Sequence, residues 1–355
     1  MSFLVLILAF VIEQWHPLRP DSRGNWIYRG VEWLAHWLEE HMDIGLMRHG
    51  RVAWWWFMLG ILIPTYSLYL LAEWLWAPLA WAWTLAVLYF TLGFRQFSHR
   101  YSAIQTALTA GDLDTARQQL QSWLVQLERP LSDWEMLSAN EISRHALREA
   151  LLASHRHVLG VMLCFLLLPG PIGPVLYRLA EFLARRWNTR AHMTKLDPHA
   201  PLVQPSQFGR FAAHAFEWID WLPARSSAFT FAIVGNFEDA LYCWKSQAAR
   251  YAETLFPRSG QVTPPTVYSN AHAGGILLAA GAGAMGLELA SDSGQLLKAE
   301  AGETLIGEAD SPPEPVWRGA TPTVYSLRTG VGLVWRAVVM WLCLLGLLSL
   351  AHLLS

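Results

Sequence analysis

The side chains of this chain that could do chemistry fall into three groups. Arg144, His145, Arg148, Glu149, His155, Arg156 and His157 crowd together just before a hydrophobic run. His145 and Glu149 are four residues apart and so share a helix face, a spacing that suits two metal ligands or an acid/base pair. Arg95-Gln96-Phe97-Ser98-His99-Arg100 forms a second cationic patch that could fold against the first and enclose an anion. Asp220, Arg225, Asn236, Glu238 and Asp239 flank a short apolar run and make the third. A plainer reading stands beside each: arginines next to apolar runs can snorkel to lipid headgroups, and Asp220 with Arg225 can be a structural ion pair. Hydrolase, zincin, P-loop and CxxC signatures are absent, and Cys164, Cys243 and Cys343 are scattered like small hydrophobes.

The elements that must position these groups are mostly apolar. Runs of about 20 apolar residues can span a bilayer. Val52–Trp76 and Leu79–Phe94 flank Pro78 and read as a transmembrane hairpin over 52–94, with tryptophans near its ends as in an interfacial aromatic belt. Residues 334–354 form a C-terminal span whose one charge, Arg336, lies near its start. The run 158–184 is split by Pro169-Gly170-Pro171 and Gly173-Pro174 and reads as a kinked or re-entrant helix. Residues 1–13 are apolar but lack a basic leader region and a small-residue cleavage site, and so read as a retained membrane helix.

Between these runs, 95–157 reads as a cytoplasmic helical insertion, in which Gly111 ends one helix and Asp112 caps the next. Within 208–256, an amphipathic helix is expected to stop before Pro223, followed by a short apolar segment and a helix from Phe237. Residues 273–289 (AGGILLAAGAGAMGLEL) predict a helix whose small faces permit close packing, against a neighbour or a second copy. Residues 291–327 read as a polar loop. Arginines in 14–51, 95–157 and 185–221 place those segments on the cytoplasmic side.

Composition agrees. Of 355 residues, 53% are apolar and 15% charged, too few charges to cover two soluble domains. The formal charge of −2 leaves no basic footprint for nucleic acid, and the abundance of Leu, Trp and Phe excludes disorder. The expected fold is therefore all-α: one polytopic integral membrane domain over 1–355, with about four or five membrane-embedded helices plus cytoplasmic helices.

The order of features resembles the CobD/CbiB family of membrane proteins of cobalamin biosynthesis. The likeness rests on Leu92-Gly93-Phe94-Arg95 followed by ALTAGDLDTAR, on the Gly-Pro break leading to Leu176-Tyr177-Arg178, and on Trp221-Leu222-Pro223-Ala224-Arg225. Gly283-Ala284-Met285-Gly286 and Leu333-Val334-Trp335-Arg336 complete it. The resemblance implies a bacterial inner-membrane, multi-pass protein with its main polar regions cytoplasmic. It implies adenosylcobinamide-phosphate synthase activity, in which a corrin propionate is joined to aminopropanol or its phosphate. ATP and Mg²⁺ would be consumed or required, the corrinoid would be the large anionic substrate, and no tightly bound cofactor is expected.

On that basis Glu149 and Asp220 are the candidates for catalysis, with Glu149 and His145 also candidate metal ligands. Arg95, His99, Arg178, Arg225 and Asn236 are the candidates for binding substrate or phosphate. The chain departs from the family where an acidic, Asn-containing segment is replaced by Arg148–His157 and an NTxDS-like run by Ala180–Ala184. The stretches LYRLAEFLARRW and WIDWLPARSSAFTFAIVGNFEDALYCW are also similar to AmpE, which implies the alternative of a non-catalytic sensor or regulator.

Overall fold

The computed structural model describes residues 2–15, 26–127, 129, 131, 133–196, 207–255, 265–290, 317 and 319–354. Among them the chain is helical throughout, apart from an isolated bridge between Leu287 and Ala320. Helix α1 (Ser2–Trp15) lies on α4 (Ala77–Thr91), and α2 (Trp26–Met42) lies on α3 (Met47–Leu75). The α3–α4 hairpin turns at Trp76, whose extended backbone ends one helix while Pro78, in the first turn of the next, needs no intrahelical partner. Trp83 Nε1 donates to the Thr65 carbonyl at 3.1 Å and ties the two together. Trp54 is buried, whereas Trp55, Trp56, Trp74 and Trp76 face outward. An aromatic rim around an apolar hairpin is what a bilayer interface selects.

Helices α5 (Phe94–Thr109) and α6 (Leu113–Gln126) form the expected hairpin. Gly111 turns with φ +78°, and Asp112 accepts from the Thr115 N–H at 3.0 Å and from its hydroxyl at 2.7 Å. A short 3₁₀ turn (Trp134–Met136) precedes α7 (Ala139–Ser154), which opens on a reciprocal cap between Ser138 and Glu141. The polar helix does not stop at His157. It passes through a π turn (His155–Leu159) into α8 (Gly160–Leu167), and Ala139–Leu167 together is long and apolar enough to cross a membrane. Met47–Leu75 and Ser326–Ala351 are the other two such helices among the described residues. Most of the apolar window of Ala139–Leu167 is buried by protein, and Arg148 and Glu149 are buried with it in the bundle.

The Pro-Gly-Pro break acts at Leu168, where the backbone becomes extended, and Gly170 takes φ +59°. The chain then returns as α9 (Ile172–Leu196), which approaches α8 so closely that a Cβ on Gly173 would sit 2.0 Å from the Cys164 carbonyl oxygen. Helix α10 (Arg210–Val234) departs from the expectation of a stop before Pro223, because it runs through the proline. A lost backbone bond in the middle of an apolar bundle helix is tolerated where neighbouring helices flank the freed carbonyl, and α9 together with the helices Pro265–Met285 and Ser326–Leu354 packs against α10.

Helices α11 (Phe237–Leu255) and α12 (Pro265–Met285) form the most extensive helix pair. A Cβ on Gly275 would lie 2.3 Å from the Ala248 carbonyl oxygen, and one on Gly283 would lie 2.4 Å from that of Asp239. The small faces of α12 are thus filled by α11 of the same chain. From Ile276 to Ala284 this helix is buried throughout, in keeping with the close packing against a neighbour expected for the Gly/Ala-rich segment. Residues 291–316 of the expected polar loop lie outside the described residues; its end returns to α12, where the Glu288 N–H donates to the Ala320 carbonyl at 2.9 Å. The last helix, α13 (Ser326–Leu354), buries Leu333, Val334, Ala337 and Val338, and exposes Trp335, Val339, Leu347 and Leu348. This is an all-α membrane protein.

Candidate functional site

The polar groups converge where α7, the π turn, α9 and α10 meet. Deepest is a sealed network. The Asp220 carboxylate oxygen Oδ1 accepts from the Tyr177 hydroxyl at 2.8 Å and lies 2.8 Å from His155 Nε2. His155 Nδ1 lies 2.9 Å from the Ser227 hydroxyl. With a proton on Nε2 the imidazole donates to Asp220, and its Nδ1 shares a hydrogen bond with the Ser227 hydroxyl. His155 is 0% exposed and Asp220 5%, so this set has the residue types of a nucleophile relay but no opening for a substrate. Its work in this conformation is to fasten the π turn to α9 and α10, since buried ionisable groups within a bundle persist only when paired.

Outside this network lies a patch rich in guanidinium groups. Arg129 Nη1 is 3.7 Å from Glu149 Oε1, and Glu181 is flanked by Arg178 Nη1 at 3.4 Å and Arg185 Nε at 3.6 Å. Arg156 and His157, supplied by the π turn, stand within electrostatic reach of Glu181, Arg178 and Arg185. Among the described residues, Arg129, Arg156, Arg178 and Arg185 gather here around Glu149 and Glu181. Burial lowers the Arg129 guanidinium to about 10; Glu149 opposes that shift, and Arg156, Arg148 and Arg185 add to it. The His157 Nδ1 atom is buried without a hydrogen-bond partner. The side chains of Arg129 and Arg185 remain 27% and 37% exposed, which leaves the patch open at its rim.

The structure therefore brings together Glu149 and Arg178 in the patch and sets Asp220 directly beneath, bonded to His155 and Tyr177. Arg225, Asn236 and His99 lie apart. Arg225 is half-buried, stacks on Trp221 with its guanidinium carbon 4.3 Å from the ring centre, and donates to the Trp221 carbonyl rather than to Asp220. Asn236 caps α11, donating to Asp239 Oδ2 at 2.7 Å and accepting from the Asp239 N–H. His99 is exposed on α5, and the Arg95 side chain falls outside the described ones.

His145 and Glu149 share a helix, but among the described residues no group of three or more His, Cys, Asp or Glu side chains is placed to hold a metal ion. The carboxylates of Glu149, Glu181 and Asp220 are each engaged by cationic or hydrogen-bonding partners. Mg²⁺ is usually bound through one or two carboxylates together with substrate phosphates and waters; here Glu149 Oε1 and both Glu181 oxygens already face arginines, so this donor set suits an anion better than a protein-held Mg²⁺.

Sequence reasoning missed Arg129, Arg185, Glu181, Tyr177 and Ser227 as site residues and did not assign roles to His155, Arg156 or His157. Only Glu181 carried a local signal: it lies three residues after Arg178 and four before Arg185, on one helix face.

Spanning helices wrapped around an arginine-rich polar seam define a polytopic helical membrane protein with charged groups gathered inside its bundle. More particularly, the chain belongs to the CobD/Cbib protein family, whose model matches residues 6–317. It is 28% identical over 316 residues to the Cobalamin biosynthesis protein CobD of Stutzerimonas stutzeri (strain A1501), covering 88% of this chain and 87% of that protein. To the Cobalamin biosynthesis protein CobD of Chromobacterium violaceum it is 29% identical over 260 residues, covering 73% and 68%. No solved structure matches the chain.

Proposed function

We propose that this protein acts in cobalamin biosynthesis as an adenosylcobinamide-phosphate synthase-like enzyme, forming an amide between adenosylcobyric acid and aminopropanol or its phosphate. The observation that carries the reading is the family match, which runs from α1 to the segment that returns to α12. A carboxylate and an amine do not condense at neutral pH unless the carboxyl is first activated. Transfer of a phosphoryl group from ATP gives an acyl phosphate, which the amine attacks with loss of phosphate. This chain's part is to hold the phosphate and orient the carboxyl for attack.

The arginines of the patch suit that task, because guanidinium groups bind phosphate oxygens through paired, charge-assisted hydrogen bonds. Glu149 and Glu181 hold those arginines in place, and the network of His155, Tyr177 and Asp220 holds the turn that presents Arg156. The protein sits in the bacterial inner membrane with the patch facing the cytoplasm, where ATP and the corrinoid are found. No observation favours the AmpE-like regulator.

The test is to incubate purified protein with adenosylcobyric acid, aminopropanol or its phosphate, and Mg·ATP, and to look for the amide by mass spectrometry. Product is expected from the wild type, and at least tenfold less from Arg178→Ala. No product from the wild type, with an active family member as control, would reject the assignment.

A further inference from the structure

A phosphate monoester brings about two negative charges, which a site neutralises with a divalent cation held by carboxylates or with guanidinium groups directly. At this seam the carboxylates are spent on arginines. Glu181 is shared by Arg178 and Arg185, and Glu149 is taken by Arg129. Among the described residues the balance of charge at the seam is positive, and one buried polar atom, His157 Nδ1, has no hydrogen-bond partner. It lies among Arg178, Arg185, Arg156 and Glu181, three cations to one carboxylate, where an anion would supply what is missing. The exposed fractions of Arg129 and Arg185 give such an anion a way in.

We infer that Arg129, Arg156, Arg178, Arg185 and His157 form a phosphate-binding site that works without a divalent cation held by the protein. The inference rests on the function proposed above only for the identity of the molecule that carries the phosphate. Guanidinium groups bind through fixed pairs of N–H donors, so phosphate binding here does not depend on metal concentration.

The test uses the full chain in a phosphate-free maltoside detergent, with inorganic phosphate as the probe and chloride at matched ionic strength as the control. Affinity is read from the dependence of the thermal midpoint on phosphate concentration. A saturable rise is expected in EDTA, changed less than twofold by Mg²⁺. Arg185→Gln should weaken binding about tenfold and Glu181→Gln should tighten it about tenfold, as expected for one unit charge removed a few ångströms from the anion in a half-solvated setting. Opposite signs separate a binding site from a structural cluster, in which both variants would lower the midpoint without phosphate and neither would alter affinity; that outcome overturns the inference.

A requirement for Mg²⁺ overturns it equally. Adding phosphatidylglycerol identifies the source of the phosphate: competition with the probe assigns the site to a lipid headgroup, and no competition assigns it to a soluble ligand, metal-free recognition standing in both cases. Phosphate binding in EDTA with no amide product strikes the proposed function alone. Amide product from a protein whose phosphate binding needs Mg²⁺ strikes this inference alone.

Discussion

Gly160 opens α8 directly after the π turn, and a Cβ placed on it would lie 2.5 Å from both Cζ and the hydroxyl oxygen of Tyr177. An ordinary contact is about 3.4 Å or more, so Gly160→Ala must drive the two apart by roughly 1 Å. A flexible side chain would yield cheaply. Tyr177 cannot, because it is 0% exposed, its hydroxyl is bonded to Asp220, and its ring packs on Phe216. Overpacking costs about 1–3 kcal/mol, and weakening a hydrogen bond to a carboxylate costs about 1.5–3 kcal/mol when complete. Against this, alanine gains about 0.5–1 kcal/mol over glycine within a helix. The net is a destabilisation of about 2–3 kcal/mol, or a fall of about 4–12 °C in thermal midpoint at about 2–4 °C per kcal/mol.

Measured by retention of monodisperse protein in detergent, Tyr177→Phe should lower the midpoint by itself. In the Gly160→Ala background the same change should cost less, because the hydroxyl it removes is already displaced. A Gly160→Ala protein that melts at or above the wild type would refute this account of the seam.

Other outcomes follow from the same geometry. Gly283→Leu should abolish accumulation of folded protein in membranes, because its Cβ alone would reach 2.4 Å from the Asp239 carbonyl oxygen, and α12 is buried on all sides around it; normal membrane levels by immunoblot would contradict that packing. The Asp112 carboxyl is held below its usual value by the hydroxyl and backbone N–H of Thr115. Its cap is therefore at full strength above the ordinary value of 3.8 and is lost as pH falls through the lower, folded value. Wild type and Asp112→Ala should differ in midpoint by a constant amount at neutral and mildly acidic pH and converge only in strong acid. A membrane-permeant maleimide should label one of the three cysteines in the native protein, Cys343, and all three after SDS, because Cys164 and Cys243 are buried; labelling of Cys243 in the native state would show that α11 is not sealed against α12.

The helices were legible in the sequence wherever local chemistry decided them. Pro78 set the hairpin turn, Gly111-Asp112 set the next, and the Pro-Gly-Pro run ended α8, because each acts through its own backbone or its nearest neighbours. Pro223 misled for the opposite reason: what a proline does inside a helix depends on neighbours that cannot be seen locally, and here the bundle on either side of α10 absorbs it. The site was half legible. Glu149, Asp220 and Arg178 stood out as charges beside apolar runs, yet the pairs that give them meaning, such as His155 with Asp220 or Arg129 with Glu149, are distant in sequence and appear only on packing. The π turn has no sequence signature of its own, although such turns recur at functional positions.

That turn sits in the middle of a span carrying Arg148, Glu149 and Arg156 close to its midpoint. Entering lipid alone, each of those charges opposes transfer by about 2.5–3.5 kcal/mol, while an apolar residue favours it by only about 0.3–0.6 kcal/mol. The apolar residues of α8 do not offset even two of them. This segment must therefore leave the insertion machinery together with α9 and α10, so that membrane entry and tertiary assembly become one event. A chain truncated after α8 should leave its central helix outside the lipid.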